Sequence, residues 1–340
     1  MAPEARALYF TKPGQVELRE EPLLPQPGQV RVRSRLMGIS HGTELLAFRG
    51  QLPTALEADS TLKSLPGRLA YPLKYGYSNC GVVEEGGTRA GARPAPSAGQ
   101  RVFAFYPHQD RFDADPGELL VLPPGVSDEQ AVFLPNLETA LGIVHDAGAR
   151  FGESVLVVGL GVVGLLVSAL LLRSGVALLI AVEPLEMRRR QAEALGCRTL
   201  SSQEAQLRER ITELTGGRGP DAAVNCSGSE AGLQLGLDTL CFEGTLVEAS
   251  WYGARRVSLE LGAAFHRRRL RLVSSQVSRV AAALGPRWDK RRRLELAMAL
   301  LPALDPSGWI THRFKLERAQ EAFELLDRHP QDVLQVVLEP

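Results

Sequence analysis

The run Val158-Gly159-Leu160-Gly161-Val162-Val163-Gly164 offers the most specific chemistry in this chain. A G-x-G-x-x-G pattern alone is weak. Here it closes an apolar strand segment, opens an apolar helical one and is followed by a second apolar strand, which is the setting that binds a dinucleotide. Gly159 is placed to make the tight turn, Gly161 to let the backbone approach a pyrophosphate, and Gly164 to let helix and strand pack closely. Val162 and Val163 begin the helix, where free N–H groups and the helix dipole favour an anion. NAD(H) is the expected cofactor. Glu183 lies nineteen residues past Gly164, at the end of the second strand. A carboxylate there accepts hydrogen bonds from the ribose hydroxyls of NAD and repels the 2′-phosphate of NADP. Arg188 is expected at the adenosine ribose or over adenine. Together with Arg189 and Arg190 it offers the alternative of holding a 2′-phosphate, and hence NADP(H); a solvated helix face is the third possibility. Ser227, Ser250 and Ser275 fall at or just past the ends of three later strands. They either line the nicotinamide half of the cofactor or are ordinary turn serines.

These groups need a parallel sheet to hold them, and the pattern from about Ser127 onward supplies one. Strand segments are expected at Ser154–Val158, Ala177–Val182, Ala222–Asn225, Gly244–Ala249 and Arg271–Ser275. Helical segments fit at Glu138–Ala147, Val162–Arg173, Met187–Leu195, Gln203–Thr215 and Ala231–Leu240. Alternating strands and helices mean an α/β, doubly wound parallel sheet covered on both faces. The first third reads differently. Ala7–Thr11, Val16–Arg19, Gln29–Leu36, Cys80–Glu84 and Arg101–Phe105 are short strand candidates separated by Pro and Gly turns, as in a β-barrel. Within the third of them Val30, Val32, Ser34 and Leu36 share one face, and Arg31, Arg33 and Arg35 share the other. Arg89–Gln100 is a small-residue loop. The last sixty or so residues return to helix at Arg291–Leu301 and Glu317–Asp327, then to strand at Val333–Leu338.

Composition narrows the class. The chain has 340 residues, a prior of about two domains. Its 39 basic and 39 acidic side chains cancel, which removes any global attraction to nucleic acid or an anionic membrane. Cys80, Cys197, Cys226 and Cys241 lie far apart with no C-x-x-C spacing, so a reducing, cytoplasmic setting is expected. No signal peptide is read at the N-terminus. The apolar stretch Val155–Val182 is long enough to span a bilayer, but its glycines and Arg173 favour a buried strand–helix–strand unit.

Further stretches complete a resemblance that covers nearly the whole chain. They are Gly38-Ile-Ser-His-Gly-Thr-Glu44, Gly76-Tyr-Ser-Asn-Cys-Gly-Val-Val83, Gly99-Gln-Arg-Val102, Glu138-Thr-Ala140 and Ile310-Thr-His-Arg-Phe314. With the glycine motif they resemble the medium-chain dehydrogenase/reductases. That resemblance implies a GroES-like β-barrel catalytic domain over 1–137 and 281–340 and a Rossmann dinucleotide-binding domain over 138–280. It also implies a homodimer paired through the sheet edge near Leu270–Ser275, where unpaired backbone groups would otherwise be exposed.

The departures from the family carry the catalytic expectations. Where zinc-dependent members have Cys-Gly-Thr/Ser-Asp, this chain has His41-Gly42-Thr43-Glu44. Where they have Gly-His-Glu, it has Gly76-Tyr77-Ser78. A third ligand position falls near Pro135–Asn136. Catalytic zinc needs about three protein ligands of N, S or O type, so no zinc is expected. Without zinc, the resemblance implies a conjugate reduction. Hydride adds to the β-carbon of an α,β-unsaturated carbonyl, and donors stabilise the charge that moves onto oxygen. Tyr77 is then a candidate proton donor, Thr43 a relay hydroxyl, Ser40 and His41 assistants, and Asn136 a substrate-orienting group. Each also has a plain structural reading. Arg267–Arg269 and Arg287–Arg293 form a basic cluster that would hold the phosphates of a CoA thioester, unless it is simply solvated. A likeness to the myxobacterial reductase that forms isovaleryl-CoA makes 3-methylcrotonyl-CoA the specific expectation. The Gly-Ile-Ser-x-Gly-Thr-Glu run equally resembles the dehydrogenase of the bacteriochlorophyllide hydroxyethyl group, which makes a zinc-free hydroxyl dehydrogenase or ketone reductase the alternative. A non-catalytic NAD(P)H-binding protein is the third possibility.

Overall fold

The computed structural model describes residues 4–24, 26–53, 55–57, 64–65, 67–85 and 95–340. Much of the expected loop Arg89–Gln100 lies outside the described residues. The chain divides into two compact units, Met1–Pro135 with Met298–Pro340, and Asn136–Ala297. The second join stands at 297, whereas the sequence placed it at 280. Arg293 accounts for the difference. It donates to the carbonyls of Val277 and Arg279 and pairs with Glu138, tying this segment to the second unit.

The first unit opens with the antiparallel pair β1 (Glu4–Lys12) and β2 (Gln15–Pro22), followed by β3 (Val30–Gly38) and helix α1 (His41–Phe48). Then come β4 (Leu73–Lys74), β5 (Asn79–Glu85), β6 (Arg101–Ala104), β7 (Arg111–Ala114), β8 (Leu119–Val121) and the short helix α2 (Asp128–Ala131). The alternation in β3 is realised: Val30, Val32, Ser34 and Leu36 are buried, while Arg33 and Arg35 are exposed. A reciprocal capping box between Ser127 and Gln130 starts α2, as the Ser-Asp-Glu-Gln run implies.

The second unit runs α3 (Leu134–Ala147), β9 (Ser154–Val158), α4 (Val162–Arg173), β10 (Leu178–Val182), α5 (Glu186–Leu195), β11 (Arg198–Leu200) and α6 (Leu207–Leu214). It continues through β12 (Ala222–Asn225), α7 (Glu230–Thr239), β13 (Thr245–Glu248) and β14 (Arg271–Ser274) to α8 (Lys290–Leu304). The strand order is β11-β10-β9-β12-β13-β14, every pair parallel. This is the doubly wound dinucleotide-binding order. All five residues of β9 are buried, as a central parallel strand covered on both faces requires. The apolar stretch Val155–Val182 is thus divided among β9, α4 and β10. Among the described residues no helix is long and apolar enough to cross a membrane.

The chain then returns to the first unit with β15 (Ile310–Lys315), α9 (Ala319–Arg328) and β16 (Gln335–Glu339). The larger first-unit sheet runs β15-β16-β3-β5-β6-β8, with β7 paired to β3. Phe323 of α9 seals the core, its ring centroid 5.1 Å from Phe10 and 5.5 Å from Phe48. The smaller sheet, β2-β1-β4, lies in the same unit. Some elements were not foreseen. Strands β7, β8 and β11 are only three or four residues long. Helix α1 passed unread because Gly42 stands in its first turn. The helix expected from Gln203 starts only at Leu207.

Candidate active site

In the second unit the glycine motif forms the turn from β9 into α4. Gly159 adopts φ +89°, and a Cβ there would stand 2.6 Å from the Cα of Ser227. A Cβ on Gly164 would fall 1.9 Å from the carbonyl oxygen of Gly159. Both positions need glycine for packing within the protein. Gly161 differs, since a Cβ there would meet no protein atom within 4 Å. Protein packing does not demand glycine at 161, whereas a phosphate against the backbone would. The first helical bond of α4 runs from Leu165 N–H to the carbonyl of Gly161. The N–H groups of Val162 and Val163 precede it, with no partner inside the helix. This cradle fits a pyrophosphate.

Glu183 follows β10 and is 3% exposed. Its Oε2 accepts from Leu160 N–H at 2.7 Å, and its Oε1 from Leu185 N–H at 3.2 Å. Its carboxylate is thereby fixed against the glycine-rich turn with lone pairs to spare for ribose hydroxyls. Of the three arginines beside it, Arg189 donates to the carbonyls of Glu183 and Pro184, and Arg190 pairs with Glu186 at the surface. Arg188 alone is drawn in; burial lowers its guanidinium pKa, with Glu183 opposing that effect.

The strand-end serines are engaged locally. Ser227 donates to Asn225 Oδ1, Ser250 Oγ accepts from Gly228 N–H, and Ser275 donates to Asp146. The same carboxyl ends hold a network that sequence reasoning missed. Asn225 Nδ2 donates to Glu248 Oε2 at 2.7 Å, Tyr252 donates to the same oxygen at 3.0 Å, and Ser250 N–H donates to Glu248 Oε1. Burial raises the Tyr252 phenol above its ordinary pKa, and the Glu248 charge adds to this. The available signal was a polar residue closing each of two strands with apolar centres, Asn225 in β12 and Glu248 in β13.

The first unit brings together Ser40, Thr43 and Tyr77. Ser40 is the N-cap of α1, and the Tyr77 hydroxyl donates to Ser40 Oγ. Burial lifts the Tyr77 phenol to about 12; the Glu44 charge adds to this, while bonds with Ser40 and Thr43 pull it back. Tyr77 is therefore a neutral donor near neutral pH. His41 is the first residue of α1, and Asn136 lies in the first turn of α3, in the second unit. Beneath this group lies a pair to which the sequence assigned no role. His108 Nε2 meets Glu44 Oε2 at 2.7 Å with both side chains fully buried, and Glu44 Oε1 accepts from Ser40 N–H at 2.8 Å. Among the described residues no three His, Cys, Asp or Glu stand together as a metal-binding group. Of the positions where the resemblance implies catalytic zinc ligands, His41 alone carries a side chain of the usual His, Cys, Asp or Glu types.

A family model described as zinc-binding dehydrogenase matches residues 162–286. The D-guloside 3-dehydrogenase of Escherichia coli K12 is 25% identical over 91% of this chain and 92% of its own. The 2R,3R-butanediol dehydrogenase of Bacillus subtilis superposes with a TM-score of 0.80 at 18% identity, over 99% of both chains. A short chain alcohol dehydrogenase of Escherichia coli CFT073, complexed with NADH, gives a TM-score of 0.78 at 18% identity, over 99% of both.

The chain is similar over nearly its whole length to alcohol and polyol dehydrogenases, and it shares their two-domain fold.

In this dehydrogenase-like protein the basic cluster is mostly committed to the protein itself. Arg293 is 1% exposed and pairs with Glu138 at 3.0 Å. Arg292 lies over the Trp288 ring at 4.1 Å, and Arg291 pairs with Glu295. Arg268 donates to the carbonyls of Asp238 and Leu240, and Arg269 pairs with Glu243. Trp288 also packs edge-on against His145.

Proposed function

We propose that this protein is a metal-independent, NAD(H)-dependent oxidoreductase that interconverts a secondary hydroxyl and a ketone on a small molecule, with Tyr77 as the acid–base group. The observation that carries this is the Tyr77–Ser40–Thr43 hydroxyl group, in which Tyr77 takes a position where the resemblance implies a metal ligand. NAD(H), when bound at the Gly161 cradle with its ribose on Glu183, supplies or accepts the hydride. On substrate binding the Tyr77 proton turns from Ser40 Oγ to the carbonyl oxygen and is released as charge develops there. Ser40 and Thr43 bond the phenolic oxygen and pass a proton back to it. Glu183 favours NAD over NADP, because a carboxylate fixed beside the glycine turn repels a 2′-phosphate.

A second reading draws on the same donor. A hydroxyl that stabilises an alkoxide also stabilises an enolate, so reduction of an α,β-unsaturated carbonyl, such as an enoyl-CoA like 3-methylcrotonyl-CoA, uses the same residues. The internal commitments of the basic cluster leave few of its arginines for CoA phosphates, which places the hydroxyl–ketone couple first. The solution form is a homodimer joined along β14, an edge strand whose Leu272 is 41% exposed.

The test follows NADH oxidation by chelator-treated protein against a ketone, a simple enone, a linear enoyl-CoA and a branched enoyl-CoA. Ketone turnover that ignores the chelator and falls about a hundredfold in Tyr77→Phe is expected. Turnover restored only by zinc overturns metal independence. Turnover of an enoyl-CoA without the ketone selects the second reading.

A further inference from the structure

We propose that the buried Glu44–His108 pair is a positioning device that holds the Tyr77 hydroxyl against Ser40, and so sets the geometry of the donor; this rests on the function proposed for Tyr77.

Ser40 and Tyr77 lie on separate segments, one at the head of α1 and one just before β5. The pair touches both. On one side, Glu44 Oε1 accepts from the backbone N–H of Ser40 at 2.8 Å, fixing the residue that receives the Tyr77 hydrogen bond. On the other, the His108 ring lies directly under Gly76, the residue before Tyr77. Gly76 adopts φ +120°, and a Cβ there would stand 2.7 Å from His108 Cδ2. The His108 N–H bonds the carbonyl of Tyr75, so the ring is anchored to the same segment by its own backbone. The 2.7 Å contact between His108 Nε2 and Glu44 Oε2 closes the bridge.

An apolar pair would fill this space as stably, since desolvating two ionisable groups offsets much of their attraction. Direction is what an apolar pair lacks. The carboxylate has two acceptors at a fixed angle, one for Ser40 and one for His108, so it fixes Ser40 and the Gly76–Tyr77 stretch just beyond the last backbone bond between their segments, from Gly38 N–H to the carbonyl of Ser78. Glu44 and His108 are both fully buried within the first unit. They act through Ser40 and Tyr77.

The test is a mutant cycle read in kcat and KM, with NADH affinity measured separately. Glu44→Ala and His108→Ala are expected to lower kcat about ten- to a hundredfold, the range for a misplaced catalytic group. NADH affinity, which belongs to the second unit, stays within about twofold of the parent under either change. Glu44→Gln keeps an acceptor for Ser40 and a polar partner for His108, and retains most of kcat. In a Tyr77→Phe background, Glu44→Ala is expected to add almost no further loss, because the group it positions is gone. If either alanine variant fails to fold, Glu44→Met with His108→Phe fills the space without the hydrogen bonds and is expected to show the same loss. The proposal is overturned if Glu44→Ala leaves kcat unchanged, or costs as much without the Tyr77 hydroxyl as with it. A Tyr77→Phe variant as active as the parent instead removes the functional reading itself, and that single variant separates the two failures.

Discussion

At the scale of single residues, the three glycines of the nucleotide motif separate by what surrounds them. Gly164→Ala drives a methyl into the Gly159 carbonyl, so the variant is expected to unfold at lower urea concentration than the parent. Gly161→Ala meets no protein atom, so its urea midpoint is expected to stay within experimental error of the parent. Its NADH affinity is expected to fall about tenfold or more, as measured by fluorescence titration, because the methyl occupies the approach of the pyrophosphate. Equal loss of stability in both variants would contradict this division. Tyr77 makes a second residue-scale prediction. Its phenol is pushed up to about 12, so it stays protonated through the physiological range. A folded value above the unfolded one of about 10 means that Tyr77 stabilises the fold fully below pH 10. That contribution is lost as pH rises through about 12. Subtracting the phenolate absorbance titration of Tyr77→Phe from that of the parent should show a step near 12 and none near 10. Tyr77 was singled out as a candidate donor by its place in the motif, but its partners were not legible. Glu44 and His108 are far apart in sequence, and neither type nor spacing announces their contact.

At the scale of elements, the segment 277–293 depends on one buried ion pair. Arg293 is the largest fully buried side chain among the described residues, and it joins Glu138 of α3 to the carbonyls of Val277 and Arg279. Arg293→Ala leaves Glu138 buried without its partner and is expected to cost about 3–5 kcal/mol in chemical unfolding. Replacing both residues with Met is expected to recover most of that loss, since a buried pair contributes little over an apolar pair of similar size. A double variant no more stable than Arg293→Ala would show that the carbonyl contacts, rather than the charge pair, hold the segment. The long elements were legible because their periodicity is redundant. Strand β9, helix α4 and strand β10 are apolar along nearly their whole length, so their burial does not depend on register. The short strands β7, β8 and β11 were not legible, because three or four residues carry too little pattern to separate a strand from a loop. Arg293 was misread for a related reason. A run of arginines looks uniform in sequence, while burial of one and exposure of its neighbours is decided by where the helix face points.

At the scale of the whole molecule, β14 ends the parallel sheet with an open row of backbone groups and a partly exposed Leu272. Leu272→Glu is expected to shift the protein from dimer to monomer in sedimentation velocity, with cofactor binding kept. A parent that sediments as a monomer would remove the dimer. The fold class, the nucleotide turn and the division between a β-rich and an alternating part were determined by sequence alone. Each follows from local pattern: strand and helix periodicity, and glycines whose spacing serves a turn. Set beside the family that it resembles, the sequence also showed which metal-ligand residue types it does not carry. Only the tertiary structure decided which polar groups work together. It placed His108 beneath Gly76, joined Glu248 to Asn225 and Tyr252, and turned Arg293 inward while Arg189 and Arg190 stayed on their own carbonyl and surface partners. The physical reason is that a hydrogen bond depends on distances of about 3 Å between groups far apart in the chain, and no short-range pattern of residue types encodes such a distance.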